Sequence, residues 1–434
     1  MTPVRAEEQW SHLALLRLSA YGFGMIGFDL AMMTIILPVL VLDVAPEAFK
    51  NSYLSALAFT GLIVAALVQP VVGRYSDRTC TRLGRRVPYL LWGCAFVCLG
   101  LVGVGFAPNY PALFGVWLFT QANFNIGYGP YQALIRDLVP VHRIGVASSL
   151  KILSDAAGSL VLIVASGALI GLGTASDVVD WQWMTLALLG LTLMSTTAIT
   201  SVTVRTRESA GALAQGAAAP VPQPAQRLHP QLNWFLFSRF MIMTSITAFP
   251  TFGLFYLRDA LGLESPAETA QVLGRMIVPV GGALALSVYP AGWLSDKAGR
   301  KPVVWASAVG AALCSVWLLW ADDTTEVVLI ATALGAAIGV LLSSNWALAN
   351  DLGTRGREGL HIGIVNLATT GGSAAAKALG PGIDLLNRIS EGRGYDALLV
   401  CCGALFLLGG LLLLPLKVNA RDGIPTEKLP EGTG

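Results

Sequence analysis

One loop occurs twice in this chain, and that duplication constrains the fold more than any other feature. Gly73–Pro88 reads Gly-Arg-Tyr-Ser-Asp-Arg-Thr-Cys-Thr-Arg-Leu-Gly-Arg-Arg-Val-Pro, and Gly292–Pro302 reads Gly-Trp-Leu-Ser-Asp-Lys-Ala-Gly-Arg-Lys-Pro. Both run Gly-x-x-Ser-Asp, then Gly-Arg-(Arg/Lys), both lie between apolar runs, and about half of the 434 residues separates them. Such a chain is two related halves. The first copy sets Arg74, Arg78, Arg82, Arg85 and Arg86 against a single acid, Asp77. Lys and Arg are retained on the cytoplasmic side of membrane proteins, so the loop reads as cytoplasmic. A topology signal would explain the charge but not the matched spacing. The physical alternative is a clamp, with Asp77 and Asp296 just past a helix end, pairing with arginines of a neighbouring helix to hold one conformation closed.

Apolar runs fill the rest. Hydrophobic residues make up 54% of the chain and charged residues 12%, against roughly 25% charged in a soluble domain. A span needs about 20 mainly apolar residues. Twelve such stretches are expected: Leu13–Val41, Phe49–Val72, Val87–Ala107, Ala112–Leu134, Val146–Gly171, Trp181–Val204, Leu232–Leu257, Ala270–Leu294, Val303–Trp320, Glu326–Leu348, Leu360–Leu386 and Tyr395–Lys417. The fold class is therefore an all-α membrane protein, with six-helix halves at 1–204 and 232–434. The Ala-, Gly-, Pro- and Gln-rich stretch 205–231 cannot bury a core and reads as a flexible cytoplasmic linker. With both termini cytoplasmic, only Lys50, Arg258, Arg388 and Arg393 of the 28 basic residues fall in outer loops. Five more, Arg17, Lys151, Arg239, Arg275 and Lys377, lie within spans. An odd number of spans would break that alternation. The net charge of +2 gives no reason to expect nucleic acid. The polar start Met1–Ser11 does not read as a cleavable signal, and the cysteines have no disulfide or metal spacing.

The two loops resemble the signature of the major facilitator superfamily, Gly-x-x-x-Asp followed by Gly-Arg-Arg between the second and third helices of each half. The first copy is most similar to the glycoside symporter and plant-type sucrose transporter branches. It has six residues, Arg78–Leu83, between Asp and Gly-Arg-Arg, and Val68-Gln69-Pro70 precedes it. Gly129-Pro130-Tyr131-Gln132-Ala133-Leu134 with Asp137 resembles that branch's Gly-Pro-x-x-Ala-Leu-x-x-Asp at the end of helix 4. The resemblance implies two pseudo-symmetric six-helix bundles that rock around a solute site near the midplane. It implies gating roles for Gly73, Asp77, Arg85, Arg86 and Asp137, and for Asp296, Arg300 and Asp351 in the second copy. Gln132–Leu138 and Trp346–Leu352 repeat each other at the ends of helices 4 and 10, which extends the duplication.

Ionisable groups within spans are costly and usually face a cavity or a partner. Arg17 and Arg275 lie near span ends and can snorkel to the interface. Arg239 either does the same or faces a cavity, where it would suit a hydroxyl or carboxylate. Asp29 sits too deep in helix 1 for a short side chain to reach water. Its charged form is expensive there, which suits a reversible proton carrier; the alternative is a structural bridge to Lys151 or another buried cation. Lys151 and Asp155, one turn apart, can pair on helix 5, either as an internally neutral pair or with Asp155 in proton coupling and Lys151 on the solute. Two polar stripes suit a polyhydroxylated ligand: Gln121, Asn125, Tyr128 and Gln132 on helix 4, and Asn366, Thr370, Ser373 and Lys377 on helix 11. Either could instead be helix–helix glue.

The expected protein is not an enzyme and needs no cofactor. It is a monomeric secondary transporter of a bacterial plasma membrane. It moves a small polar solute, a sugar or glycoside, by alternating access coupled to protons. Helix 2 lacks the paired aspartates of the sodium-coupled relatives, which argues against sodium. Two alternatives stay open: an organic-anion or sugar-acid carrier using Lys151, Arg239 and Lys377, and a non-transporting membrane relative in assembly or pigment handling.

Overall fold

The computed structural model describes residues 10–79, 81–140, 143–173, 180–211, 231–263, 265–352 and 358–414. Among them the regular structure is helical throughout, without a strand. The first half holds α1 (His12–Val44), α2 (Lys50–Arg78), α3 (Val87–Gly105), α4 (Tyr110–Leu138), α5 (Ile144–Gly173) and α6 (Trp181–Gly211). The second holds α7 (Leu232–Ala260), α8 (Pro266–Ala298), α9 (Arg300–Trp317), α10 (Thr324–Asp351), a broken α11 and α12 (Arg393–Leu411). The break divides α11 into α11a (Glu358–Lys377) and α11b (Gly380–Ile389).

Local chemistry fixes the ends. Asn109 caps α4 by accepting from the Ala112 N–H at 3.0 Å, with Pro111 in the first turn. Ser265 caps α8 in the same way ahead of Pro266. At α10, Asp323 accepts from the backbone N–H groups of Thr325 and Glu326, and these bonds hold its carboxyl below the usual carboxylate range.

The halves pack by one scheme. In the first, α1 lies on α5 and α6, α4 on α2 and α3, and α3 on α6. In the second, α7 lies on α11a and α12, α10 on α8 and α9, and α9 on α12. Each contact recurs six helices later. Contacts between halves obey the same rule, since α2 meets α11b and α8 meets α5. Close approach depends on small residues: a methyl group at Gly158 of α5 would lie 2.1 Å from the Phe23 carbonyl of α1.

Among the described residues, ten helical segments are long and apolar enough to cross a membrane. The expected spans absent from that set are α4 and α11, the two helices that carry the polar stripes. On α4 Gln121 and Asn125 are buried against protein, which is how a membrane tolerates such groups, whereas Asn366 and Thr370 of α11 are exposed. Leu360–Leu386, expected as one helix, is interrupted after Lys377, because Pro381 in the first turn of α11b cannot donate back across the gap. α1 likewise contains a π-helical turn, Met32–Ile36, just past Asp29. α6 runs on to Gly211, past the expected span end at Val204, and most of the expected linker lies outside the described residues.

Candidate functional site

Asp29 projects from the middle of α1 toward α4, where its Oδ1 accepts from Gln121 Nε2 at 2.8 Å. Gln121 begins a ladder. Its backbone carbonyl accepts from Asn125 Nδ2 at 2.7 Å, and Asn125 Oδ1 accepts from Gln69 Nε2 of α2, also at 2.7 Å. Gln69 then joins Gly129, Gln132, Ala133 and Arg136 around a cavity toward the arginine-loop end. Asn125 is only 1% exposed, and both ends of its amide are engaged by protein. It braces the stripe through both bonds. In the sequence Gln69 stands out only within Val68-Gln69-Pro70; its bond to Asn125 ties α2 to α4.

Across the interface, Lys377 ends α11a. Its charge acts on Asp29 without the two forming an ion pair. The bridge from Asp29 to Lys151 does not form, because Lys151 is taken by Asp155 at 2.6 Å on its own helix. Lys151 also lies over the rings of Tyr128 and Tyr131, at 5.7 and 5.3 Å. Tyr128 stacks on Phe124 at 5.4 Å, and Phe124 approaches Phe28 of α1. An aromatic wall thus runs beside the carboxylate and the amides.

The second half answers with different chemistry at matching places. Arg239 of α7 is 2% exposed. It donates through Nη1 to Asn345 Oδ1 of α10 at 2.5 Å and through Nε to Thr369 Oγ1 of α11a at 2.7 Å. Its guanidinium lies 4.4 Å from the ring centre of Trp346. It does not snorkel; neutral acceptors and an aromatic face hold it inside. Thr247 and Ser373 share a hydrogen bond at 3.0 Å, while Asn366 and Thr370 are exposed along α11a. Lys151, Arg239 and Lys377 therefore occupy separate settings and do not converge on one clamp in this conformation.

The loop residues form a compact ion cluster. Arg86 pairs with Asp77 at 2.7 Å and with Asp137 at 2.9 Å, Arg85 pairs with Asp137 at 2.7 Å, and Arg86 Nη1 donates to Ser76. All of these belong to the first half. No side-chain contact limits Gly73. In the second copy Arg300 opens α9. Asp296 and Asp351 lie on α8 and α10, and their side chains are outside the described residues. Between described residues, every hydrogen bond and ion pair that joins the halves lies at the opposite end. There Lys50 pairs with Asp259, Arg258 with Glu47, and Asp384 with Asn51 and Ser52. Toward the arginine-loop end Val71 and Tyr75 of α2 and Leu286, Tyr289 and Trp293 of α8 are exposed.

A family model described as the Major Facilitator Superfamily matches residues 20–376 and 276–431. Among curated proteins, the chain is 33% identical to "Sucrose transport protein SUT1" of Oryza sativa subsp. japonica, over 23% of each chain. It is 34% identical to "Sucrose transport protein SUT5" of Oryza sativa subsp. indica, over 21% of this chain and 22% of that one. The chain thus matches under a quarter of the length of these relatives. In structure it is similar to a bacterial homologue of the human lysosomal transporter Spinster, solved inward-facing and occupied (TM-score 0.70, 13% identity, 95% and 96% of the two chains). It is also similar to a bacterial homologue of the iron transporter ferroportin, solved inward-facing (TM-score 0.68, 17% identity, 95% and 98%). A third similar structure is the nucleoside transporter NupG, as its D323A mutant (TM-score 0.65, 12% identity, 92% and 98%).

Proposed function

The chain belongs to the major facilitator superfamily and is a multi-pass membrane transporter, and from that premise we propose that it moves a sugar or glycoside by alternating access, coupled to protons through Asp29. The observation that carries this reading is the placement of Asp29. It lies at depth between the halves, anchored by Gln121 on one side and facing the charge of Lys377 on the other. Proton uptake cancels its attraction to Lys377, so the protonation state biases how the halves sit. Tyr128 offers an apolar ring face with Phe124 and Phe28 packed behind it, while Gln121, Asn366, Thr370 and Ser373 offer partners for hydroxyls. The sucrose transport proteins that match part of the chain support the sugar class.

The arginine-loop end is assigned to the cytoplasm by its charge. The closed end then faces outward, and the conformation described is inward-facing. The monomer, with its two halves, is the working unit. One observation favours a second substrate class: Arg239 is deeply buried, and no ion pair neutralises it among the described residues. A solute carboxylate would suit it. A thermal-shift screen of purified protein against neutral sugars and sugar acids tests the reading, since a ligand that binds only the folded state raises apparent stability. Stabilisation by a sugar or glycoside, followed by its uptake into proteoliposomes under an inward-directed pH gradient, is the expected result. Stabilisation by sugar acids alone replaces it with the anion reading, and no flux of any ligand found would overturn both.

A further inference from the structure

Asp384 of α11b is 4% exposed, and each of its hydrogen bonds crosses to the first half. Oδ1 accepts from the backbone N–H and side-chain amide of Asn51, at 3.3 and 2.9 Å. Oδ2 accepts from the backbone N–H and hydroxyl of Ser52, at 2.7 and 2.5 Å. Asn51 and Ser52 lie in the first turn of α2. The first N–H groups of a helix have no internal partners and carry partial positive charge. Phe49, which precedes α2, supplies no side-chain cap. The cap comes instead from the other half of the molecule.

The surroundings are fitted to this contact. Asn51 Nδ2 also donates to Tyr395 of α12 at 3.2 Å, and the Gly380 N–H donates to Ser55 Oγ at 3.0 Å. A methyl group at Gly380 would lie 2.1 Å from both the Asn51 carbonyl and Ser55 Oγ. Arg388 lies over the ring of Phe49 at 3.9 Å. α11b keeps separate ties to its own half, such as the Gly394 N–H bond to Asn387 Oδ1 at 2.7 Å. The cap is therefore not needed to hold α11b against α12.

We propose that Asp384 is a latch, a cap donated between halves that exists only while this end is closed and so weights the balance between the closed and open states. Opening this end separates α2 from α11b and hands both the carboxylate and the helix end to water. The inference rests on reading the chain as an alternating-access transporter. It does not depend on Asp29 carrying protons or on the identity of the solute.

The test reads distance, not transport. Spin labels are placed at Ala48 and Ser390, exposed on either side of the seam, in full-length protein freed of native cysteines and reconstituted in lipid nanodiscs. The wild type is expected to show a dominant short distance. Loss of such a cap, about 1–2 kcal/mol, means that Asp384→Ala should shift the short-to-long ratio about 5- to 30-fold toward long. Asp384→Asn, which keeps an acceptor, should shift it less. Gly380→Ala alters no charge and should also favour the long distance, by wedging the seam. Asp322→Asn, an exposed acid away from the seam, should change nothing. Gly380→Ala shows that the labels report the seam, and a wild-type distribution in folded Asp384→Ala overturns the latch. Where Asp384→Ala does not fold, Asp384→Asn decides the matter, a wild-type distribution again overturning it. Flux assays on the wild type test the transporter reading separately.

Discussion

The two ends of the half–half interface use the same kind of ion pair for opposite purposes. At the closed end, Lys50, with a side chain 6% exposed, pairs with Glu47 at 2.6 Å and with Asp259 of the other half at 2.7 Å. At the arginine-loop end, Arg86 is equally buried, yet Asp77 and Asp137 both come from its own half. The first cluster joins two bodies, and the second makes one body of α2, α3 and α4. Burial and pairing alone therefore do not identify a gate. What identifies it is whether the partners belong to elements that must separate. In the conformation described, the arginine cluster is a brace and the Lys50–Asp384 seam is the closure.

Asp29 lies between the ends, so its substitution gives the largest expected effect on that comparison. Asp29→Asn keeps the size and the bond from Gln121 but removes the titration. In proteoliposomes the variant should lose accumulation driven by a pH gradient while still exchanging labelled for unlabelled solute, since exchange needs no net proton movement. Surviving accumulation removes Asp29 as the carrier. Loss of exchange as well makes it a binding or structural residue, and the two ends would then alternate without its titration.

Much of this frame was legible in the sequence. The repeated loop signalled two halves, and alternation of loop charge signalled an even number of spans. The polar stripes marked α4 and α11, because amides and hydroxyls at helical spacing have few reasons to sit in a bilayer. The break in α11 was also written there, in Gly380-Pro381-Gly382, but apolar residues on either side let the span be read straight through it. The closure was not legible. Asp384 meets Asn51 and Ser52 across more than 330 positions, and near the end of the expected span Leu360–Leu386 no local pattern distinguishes it from an acid that reaches the interface. The ladder through Gln69 is hidden for the same reason, since α2 supplies the partner of Asn125 from 56 positions away.

The next two tests sharpen the contrast between brace and closure. Arg86→Ala leaves Asp77 and Asp137 without their shared partner inside one half. Hydrogen bonds to charged groups are worth about 1.5–3 kcal/mol, so the variant should melt measurably lower in detergent. Lys50→Ala should cost less in melting, because its partners can turn to water when the seam loosens, but should make this end more accessible to an impermeant thiol probe at a cysteine introduced below it. The reverse pattern, with Lys50 governing melting and Arg86 governing accessibility, breaks the comparison.

Asn366 belongs to neither end. Asn366→Leu should weaken solute binding by about 1–3 kcal/mol if it leaves a ligand hydroxyl unpaired in a dry site, measured by isothermal titration with the solute found in the screen. Arg86→Ala and Lys50→Ala, where folded, should bind within a few-fold of wild type. An unchanged dissociation constant for Asn366→Leu returns the α11a stripe to helix packing.

The smallest expected effect is the most specific to the arginine-loop end. Asp77 has a side chain 61% exposed, and Arg86 keeps Asp137 when Asp77 is changed. An exposed ion pair contributes about 0–1 kcal/mol, so Asp77→Asn should scarcely change melting in the conformation described. Under the alternating-access reading proposed above, its weight falls on a conformation in which the arginine-loop end closes and the cluster of the first half meets the second. Transport should therefore slow by a few-fold while the dissociation constant stays near wild type, because the substitution is far from the solute space. Stopped-flow uptake beside equilibrium binding separates the two quantities. Equal losses in both would place Asp77 in binding or folding. A wild-type rate would leave it a surface partner of Arg86, with the closed end of the molecule alone setting the pace.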